Sequence, residues 1–154
     1  MLHLVLPALL ALAPQADAAA PKAAVPEAKA LTFQSLKGAY KWDVLLPLTT
    51  EVDGLRINSI FFNKRAFKSG IFKGSDFGTR AQIEVTNTAK TSRNPGFAVA
   101  VFDAEDRLLG VATGGTKFGG VSAGTTETFD LSFHNVLERL PRGDHFFLSV
   151  ELAP

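Results

Sequence analysis

Apolar and polar residues alternate with a period of two along most of the chain after residue 30. Successive side chains of a β-strand point to opposite faces, so this period predicts strands with one buried face. The clearest case is residues 128–133, in which Phe129, Leu131 and Phe133 share one face and polar residues occupy the other. The same alternation predicts strands over residues 79–87, 97–102 and 146–152.

Three segments depart from this simple alternation. Within residues 55–62 the apolar residues change from odd positions, Leu55 and Ile57, to even positions, Ile60 and Phe62. A β-bulge near Asn58 or Ser59 would put all four in the core. Residues 40–48 alternate well but contain Pro47, which cannot donate a ladder hydrogen bond, so they predict an edge strand. Residues 97–102 are apolar on both parities, which predicts a central strand covered on both faces.

The remaining pattern adds short elements and a fold class. Residues 108–113 and 66–73 predict short strands, and residues 135–140 predict a helical turn that ends at Pro141. Seven or eight short strands with Gly-rich and polar connections are typical of an all-β protein. The sequence therefore predicts an immunoglobulin-like antiparallel β-sandwich.

The first thirty residues have a different composition. Leu4 to Ala13 is an apolar run of about ten residues, the size of a signal-peptide core and too short to span a bilayer. Small residues follow at the spacing that signal peptidase reads, although no Lys or Arg precedes the run. The alternative is a buried helix, which Pro7 and Pro14 would interrupt.

This composition predicts three regions and an exported protein. Residues 1–18 are predicted to be a signal peptide, with residue 20 as the alternative cleavage position. Residues 19–30, mostly Ala, Pro and Lys, predict a flexible leader, and residues 31–154 predict the sandwich domain. The expected location is the periplasm or the cell exterior, with no membrane anchor after cleavage.

The composition of the chain excludes several kinds of chemistry. The chain has no cysteine, which excludes disulfides, thiol catalysis and cysteine metal sites. Its formal net charge is +1, so bulk charge does not indicate a polyanionic partner, and we expect no nucleic-acid binding. Nothing in the sequence indicates a cofactor.

Charge is nevertheless distributed unevenly. Residues 55–102 contain eight basic and two acidic side chains, whereas residues 103–154 contain four basic and eight acidic ones. Phenylalanines interleave with the basic residues, so the segment predicts a surface for an anionic polymer or an acidic partner. The alternative is a solvated sheet face. The candidate residues of this predicted basic surface are Arg56, Lys64, Arg65, Lys68, Lys73 and Arg80.

One motif is suggestive of a serine hydrolase. Residues 120–124 read G-x-S-x-G, and Ser122, Asp130 and His134 follow the chain order of α/β-hydrolase triads. That chemistry needs a strand before the serine and a helix after it, but a predicted strand follows here. The sequence therefore predicts a Gly-rich turn, no catalytic residues and no enzyme.

Two sets of residues are candidates for metal binding, and each has a structural alternative. Asp103, Glu105 and Asp106 supply the oxygen ligands that calcium prefers, but the Gly and distal Glu of a dedicated calcium loop are missing. The alternative is a hairpin turn in which Asp103 accepts backbone N–H groups two residues on. His134 and His145 have no zinc-ligand spacing. We therefore predict no metal site.

Asn87 closes one predicted strand, Val99-Ala100-Val101-Phe102-Asp103 follows in the next, and Ala123-Gly124 opens the strand that ends at Phe133. In this order of features, residues 79–133 resemble the FxLYD-type domain, an immunoglobulin-like module of exported bacterial proteins. The hallmark F-x-L-Y-D of that domain corresponds to residues 99–103, in which the Asp is unchanged. The resemblance implies the sandwich fold and no known chemistry. The strand–Asn–loop–strand order is also similar, more loosely, to the WHy-type domain.

These observations favour a non-catalytic binding or protein-interaction module of the bacterial envelope. The alternative is a structural accessory subunit of a larger envelope assembly, for which we expect an exposed apolar patch. Phe147, which has the opposite parity to Leu148 and Val150, is the first residue expected in such a patch. A small hydrolase would instead require Ser122 within hydrogen-bond reach of His134. The identity of the partner stays open.

Overall fold

The computed structural model describes residues 32–66, 76–116, 119–134, 136 and 138–153. The predicted signal peptide and leader lie outside the described residues, as do Lys68, Lys73 and most of the predicted strand 66–73. Among the described residues there is no helix long and apolar enough to cross a membrane.

Nearly all regular structure in the described residues is β-strand. The strands are β1 (Thr32–Ala39), β2 (Leu45–Val52), β3 (Leu55–Ala66), β4 (Asp76–Asn87), β5 (Asn94–Phe102), β6 (Leu108–Gly115), β7 (Thr126–Phe133) and β8 (His145–Ala153). They form two four-stranded antiparallel sheets. Sheet A has the order β1-β8-β5-β6 and sheet B the order β2-β3-β4-β7. The predicted antiparallel β-sandwich is confirmed.

The core lies between the two sheets and contains the inward positions that alternation predicts. Its fully buried side chains include Ile83 in sheet B and Val99 and Leu148 in sheet A. Each such side chain contributes roughly 1.5–3 kcal/mol relative to an exposed one. The ring of Phe146 lies over Gly38 of β1, where a Cβ atom would come within 2.6 Å of it. The lack of a side chain at Gly38 therefore lets β1 pack closely against the core.

Two predicted irregularities are confirmed. The pairing of β3 with β4 changes register between Ile57 and Ser59, which keeps Ile57 and Ile60 buried on the same face. Strand β2 is an edge strand as predicted, although it spans Leu45–Val52 and not residues 40–48, and its pairing with β3 shifts between Pro47 and Thr50. Proline is tolerated there because an edge strand has ladder hydrogen bonds on one side only.

Strand β1 is an element that alternation does not predict. Its two large apolar residues, Phe33 and Leu36, have opposite parity, so they cannot share a buried face. The strand forms because it pairs with β8 over its whole length, from Thr32 opposite Leu152 to Ala39 opposite His145. Long-range pairing therefore decides this element, and local pattern does not.

The predicted double coverage of residues 97–102 is wrong. Strand β5 is central in sheet A, but Ala98 is exposed and Ala100 is half-buried. Ala98 and Ala100, which alternate with the buried valines of β5, are small and apolar, and this pattern predicts a covering layer. Among the described residues, no element lies over that face.

The predicted helical turn over residues 135–140 is also wrong in its limits. A 3-10 turn spans Leu140–Arg142, and Glu138 and Arg139 precede it as bends. Pro141 lies at the start of the turn, where its missing N–H has no intrahelical partner to lose. Proline therefore begins this element and does not end a preceding one.

Candidate functional site

The predicted hydrolase triad is not assembled. Ser122 lies in an exposed turn before β7, and His134 follows the other end of that strand. A strand rises about 3.3 Å per residue, so the eight residues of β7 hold the two side chains roughly 25 Å apart. Asp130 is bound to the guanidinium of Arg80 at 2.9 Å. These residues have no geometry for nucleophilic catalysis.

The acidic cluster after β5 is a hairpin turn stabilised by Arg107. Asp103 is buried, and its Oδ1 accepts the backbone N–H groups of Glu105 at 3.1 Å and Arg107 at 2.9 Å. The guanidinium of Arg107 binds both Asp103, at 2.7 Å, and Glu105, at 2.8 Å. Two of the three side chains considered as calcium ligands, Asp103 and Glu105, are therefore already bound to a cation of the protein, and the third, Asp106, faces His145. The turn hydrogen bond predicted for Asp103 is confirmed.

This arrangement predicts how stability at the hairpin depends on pH. Burial raises the pKa of Asp103, but the backbone N–H and guanidinium of Arg107 and the N–H of Glu105 outweigh it, so the pKa lies below its usual value of 3.8. A carboxyl whose folded pKa is lowered stabilises the fold above its unfolded pKa. That contribution is lost as the pH falls through the lower, folded value.

Asp103→Asn is therefore expected to lower the melting temperature at pH 7 and to have little effect near pH 2. Thermal melting of both proteins across an acid series measures the difference. Glu105→Gln is the control, because Glu105 is exposed and accepts only from Arg107 among the described contacts. A loss on Asp103→Asn that is constant with pH would contradict the assignment.

The histidine in sheet A is part of an aromatic cluster. The ring of His145 stacks on Phe102, with centroids 5.4 Å apart, and its nitrogens face Asp106 at 3.2 Å and Asp144 at 3.1 Å. Even so, no group of three or more His, Asp or Glu side chains among the described residues is arranged to hold a metal ion.

The predicted basic surface is divided in the structure. Arg56 of β3 and Arg80 of β4 both lie on the outer face of sheet B, opposite Thr86 and Asn63 respectively. Lys64 is exposed and has the other parity, because it lies opposite the buried Thr79. Arg65 belongs to β3, and Lys68 and Lys73 lie outside the described residues.

Acidic side chains lie among these arginines. Glu51 of β2 is directly opposite Arg56, and Asp130 of β7 binds Arg80. Glu84 occupies the same outer face and accepts a hydrogen bond from Asn58 at 3.1 Å. The described part of the outer face of sheet B therefore carries charges of both signs and many polar side chains.

The outer face of sheet A has the opposite character. The strand registers align its outward residues in rows, of which Ser35, Ser149, Ala98 and Thr113 form one. Over the described strands of this face, Lys37 and Glu151 are the only outward Lys, Arg, Asp or Glu residues. We call this surface the A face.

Large apolar side chains lie along the two edge strands of the A face and on the inner strand β8, and small residues of β5 form its floor. Phe33, Val111, Leu108 and Phe147 are 65%, 50%, 52% and 43% exposed, respectively. Gly96, Ala98 and Ala100 of β5 lie between the outer strands β1 and β6. At one end, an open groove of about 750 Å³ is lined by residues that include Gly96, Ala98, Ser149 and Glu151. The A face is therefore a shallow, largely apolar depression with few charged side chains.

Contacts within the sheet hold the exposed aromatic ring of Phe147 in place. Its edge meets the ring of Phe102 at a centroid distance of 5.7 Å, and the Nζ atom of Lys37 lies 5.4 Å from its centroid. Both contacts are favourable for an aromatic ring. The expectation that Phe147 points away from the core is confirmed.

The A face is not predictable from the sequence for one reason. Its residues come from four strands that are far apart in the chain, and they become neighbours only through the pairing of β8 with both β1 and β5. The small residues that alternate with Phe97, Val99 and Val101 are visible in the sequence, and they predict a strand that is covered on both faces. The same signal is produced by a face that is exposed and apolar.

The motif residues of the middle of the chain have clear structural roles. Val99 and Val101 are buried in the core, Phe102 points outward, and Asp103 forms the hairpin turn. Asn87 is the last residue of β4 and is fully buried. Comparison of the sequence with known proteins finds no matching family model and no matching curated protein.

Proposed function

We propose that this protein is a non-catalytic interaction module of the bacterial envelope that binds a partner protein through the A face. The observation that carries the proposal is the contrast between the two outer faces. Among the described residues, the outer face of sheet B carries the charged side chains of Glu51, Arg56, Arg80, Glu84 and Asp130, whereas the described strands of sheet A carry only Lys37 and Glu151.

Exposed apolar side chains are costly to leave in contact with water, so a contiguous group of them supports a contact surface. Interface centres are depleted of charge and enriched in aromatic side chains. Phe33 supplies such a side chain on the edge strand β1, and Phe147 supplies one on the inner strand β8. The small residues at its centre leave room for side chains that the partner inserts.

Export and family membership belong to the same proposal. The signal peptide predicted over residues 1–18 supports a location in the periplasm or outside the cell. The immunoglobulin-like assignment and the resemblance to the FxLYD-type domain remain predictions. An accessory subunit of a larger envelope assembly is the alternative role, and it would use the same A face in a permanent complex.

A charge placed in the A face tests the proposal. Ala98→Arg puts a guanidinium at an exposed position on the floor of the face, where a bound partner would desolvate it. We expect partner affinity to fall about tenfold or more. The tagged protein and the variant are used to capture partners from the native envelope fraction, with washes at low and high salt.

Thr128→Arg is the matched control, because Thr128 is exposed on the outer face of sheet B. The proposal requires a partner that survives high salt, is lost on Ala98→Arg and is retained on Thr128→Arg. A partner that elutes at high salt and is unaffected by Ala98→Arg would contradict it and would support the predicted basic surface instead.

A further inference from the structure

We propose that strand β1 pairs edge to edge with β1 of a second copy of this chain, so that the two A sheets form one continuous eight-stranded sheet. The proposal concerns the edge of sheet A, goes beyond the proposed function of the A face and does not depend on it.

The four edge strands of the sandwich differ in their protection. Strand β2 contains Pro47 and a register shift, both of which obstruct the addition of a further strand. Strands β6 and β7 lie beside each other at one side of the sandwich, where Gly114 packs against the side chain of Leu131. Strand β1 contains no proline and pairs with β8 without a register shift. Strand β1 also approaches β2, but less extensively than β6 approaches β7, so β1 is the least protected of the described edges.

Strand β1 is also unusually exposed. Its first four residues, Thr32 to Ser35, are exposed whichever face they point to, and Phe33 is 65% exposed. Among the described strands, β1 pairs only with β8. Alternate N–H and C=O groups of an edge strand point away from its sheet, so they present a template for a further strand.

The sequence of β1 is complementary to itself in one antiparallel register. A two-fold axis perpendicular to the sheet leaves the outward-facing side chains of both copies on the same side of the joined sheet. Two residues that lie opposite each other must therefore both point outward or both point inward. With the axis at Ser35, this residue faces its own copy and Phe33 faces Lys37 of the second copy. Shifts of two residues place Phe33 opposite Ser35 or Ala39, so the cation–aromatic pair is lost.

The contacts already present favour the register centred on Ser35. The Nζ atom of Lys37 lies 5.4 Å from the ring centroid of Phe147 in its own chain. Directly opposed residues have Cβ atoms about 5 Å apart, so the second copy's Phe33 would approach Lys37 from the other side. Lys37 would then lie between two aromatic rings, and the exposed Phe33 would be covered.

A disulfide across the two-fold axis is the first test. The full chain has no cysteine, so Ser35→Cys introduces a single thiol. Opposed residues of antiparallel strands have Cα atoms about 4.5–5.5 Å apart, within the range that a disulfide spans. We expect a covalent dimer under mild oxidation. Thr113→Cys is the control, because it lies in the same row on the opposite edge strand, and it is expected to stay mainly monomeric on a non-reducing gel.

Charge at position 35 provides a second test that does not depend on oxidation. Ser35→Lys and Ser35→Glu each place like charges directly opposite each other, so each is expected to raise the dimer Kd about fivefold by sedimentation. Mixing the two variants is expected to restore a one-to-one dimer. A monomeric wild-type chain, equal cross-linking of Ser35→Cys and Thr113→Cys, or no restoration on mixing would each overturn the proposal. None of these results bears on the A face, which Ala98→Arg tests.

Discussion

Replacing Phe146 with alanine is expected to lower the free energy of unfolding by about 4 kcal/mol. The side chain is 1% exposed, and its ring meets that of Phe62 at a centroid distance of 5.2 Å. Phe62 in turn packs on Tyr40 at 4.5 Å, so the three rings fill the core between sheets A and B. Removing the ring of Phe146 leaves a cavity between the two sheets that they cannot fully close. Chemical denaturation with a linear extrapolation measures the loss.

Phe147→Ala is a closely matched control. It removes the same side chain from the next residue of β8, but Phe147 is 43% exposed on the A face. Its loss is expected to cost about 1–2 kcal/mol, because much of the ring is already exposed and mainly its contacts with Phe102 and Lys37 are lost. Equal losses for the two variants would contradict the inward and outward assignment of β8, and with it the composition of the A face.

Asn87→Ala is expected to cost about 3 kcal/mol of unfolding free energy, because it leaves several buried groups without partners. The side-chain amide of Asn87 donates to the carbonyl oxygens of Thr91 and Val121, both at 2.8 Å. Its oxygen accepts the N–H of Ala89 at 2.9 Å. One buried side chain thus joins the end of β4 to the following loop and to the segment before β7.

The control for this prediction is Asn58→Ala. Asn58 also donates two side-chain hydrogen bonds, to Glu84 at 3.1 Å and to Thr86 at 2.8 Å, but it is half-buried on the outer face of sheet B. Water replaces those partners, so the expected cost is below about 1 kcal/mol. A loss on Asn87→Ala no larger than that on Asn58→Ala would show that the buried amide is not what holds the loop.

Much of the fold is predictable because it depends on local alternation. The inward parity of β4, β5 and β8 follows from side chains that must leave water, and the structure places them in the core. The bulge near Ser59 and the edge position of Pro47 are predictable for similar local reasons. Strand β1 is not, because it forms only once β8 is present to pair with it.

The distribution of charge over the surface is less predictable than the core. The basic excess of residues 55–102 indicated one positive face, but sequence counts do not reveal which residues come from other segments. Asp130 reaches Arg80 across fifty positions, and Glu51 lies opposite Arg56 through the pairing of β2 and β3. The A face depends on pairings of the same kind, so its apolar character emerges only when the sheet is assembled.

The central claim is that the A face contacts a partner, and site-specific photo-crosslinking in native cells tests it most directly. A photoreactive phenylalanine analogue at Phe147 preserves the aromatic ring that the inner strand β8 presents on the A face. The same analogue at Phe61, half-buried on the outer face of sheet B, is the control. The account predicts a discrete crosslinked partner from position 147 and none from position 61. The same partner from both positions, or a partner from position 61 alone, would contradict it.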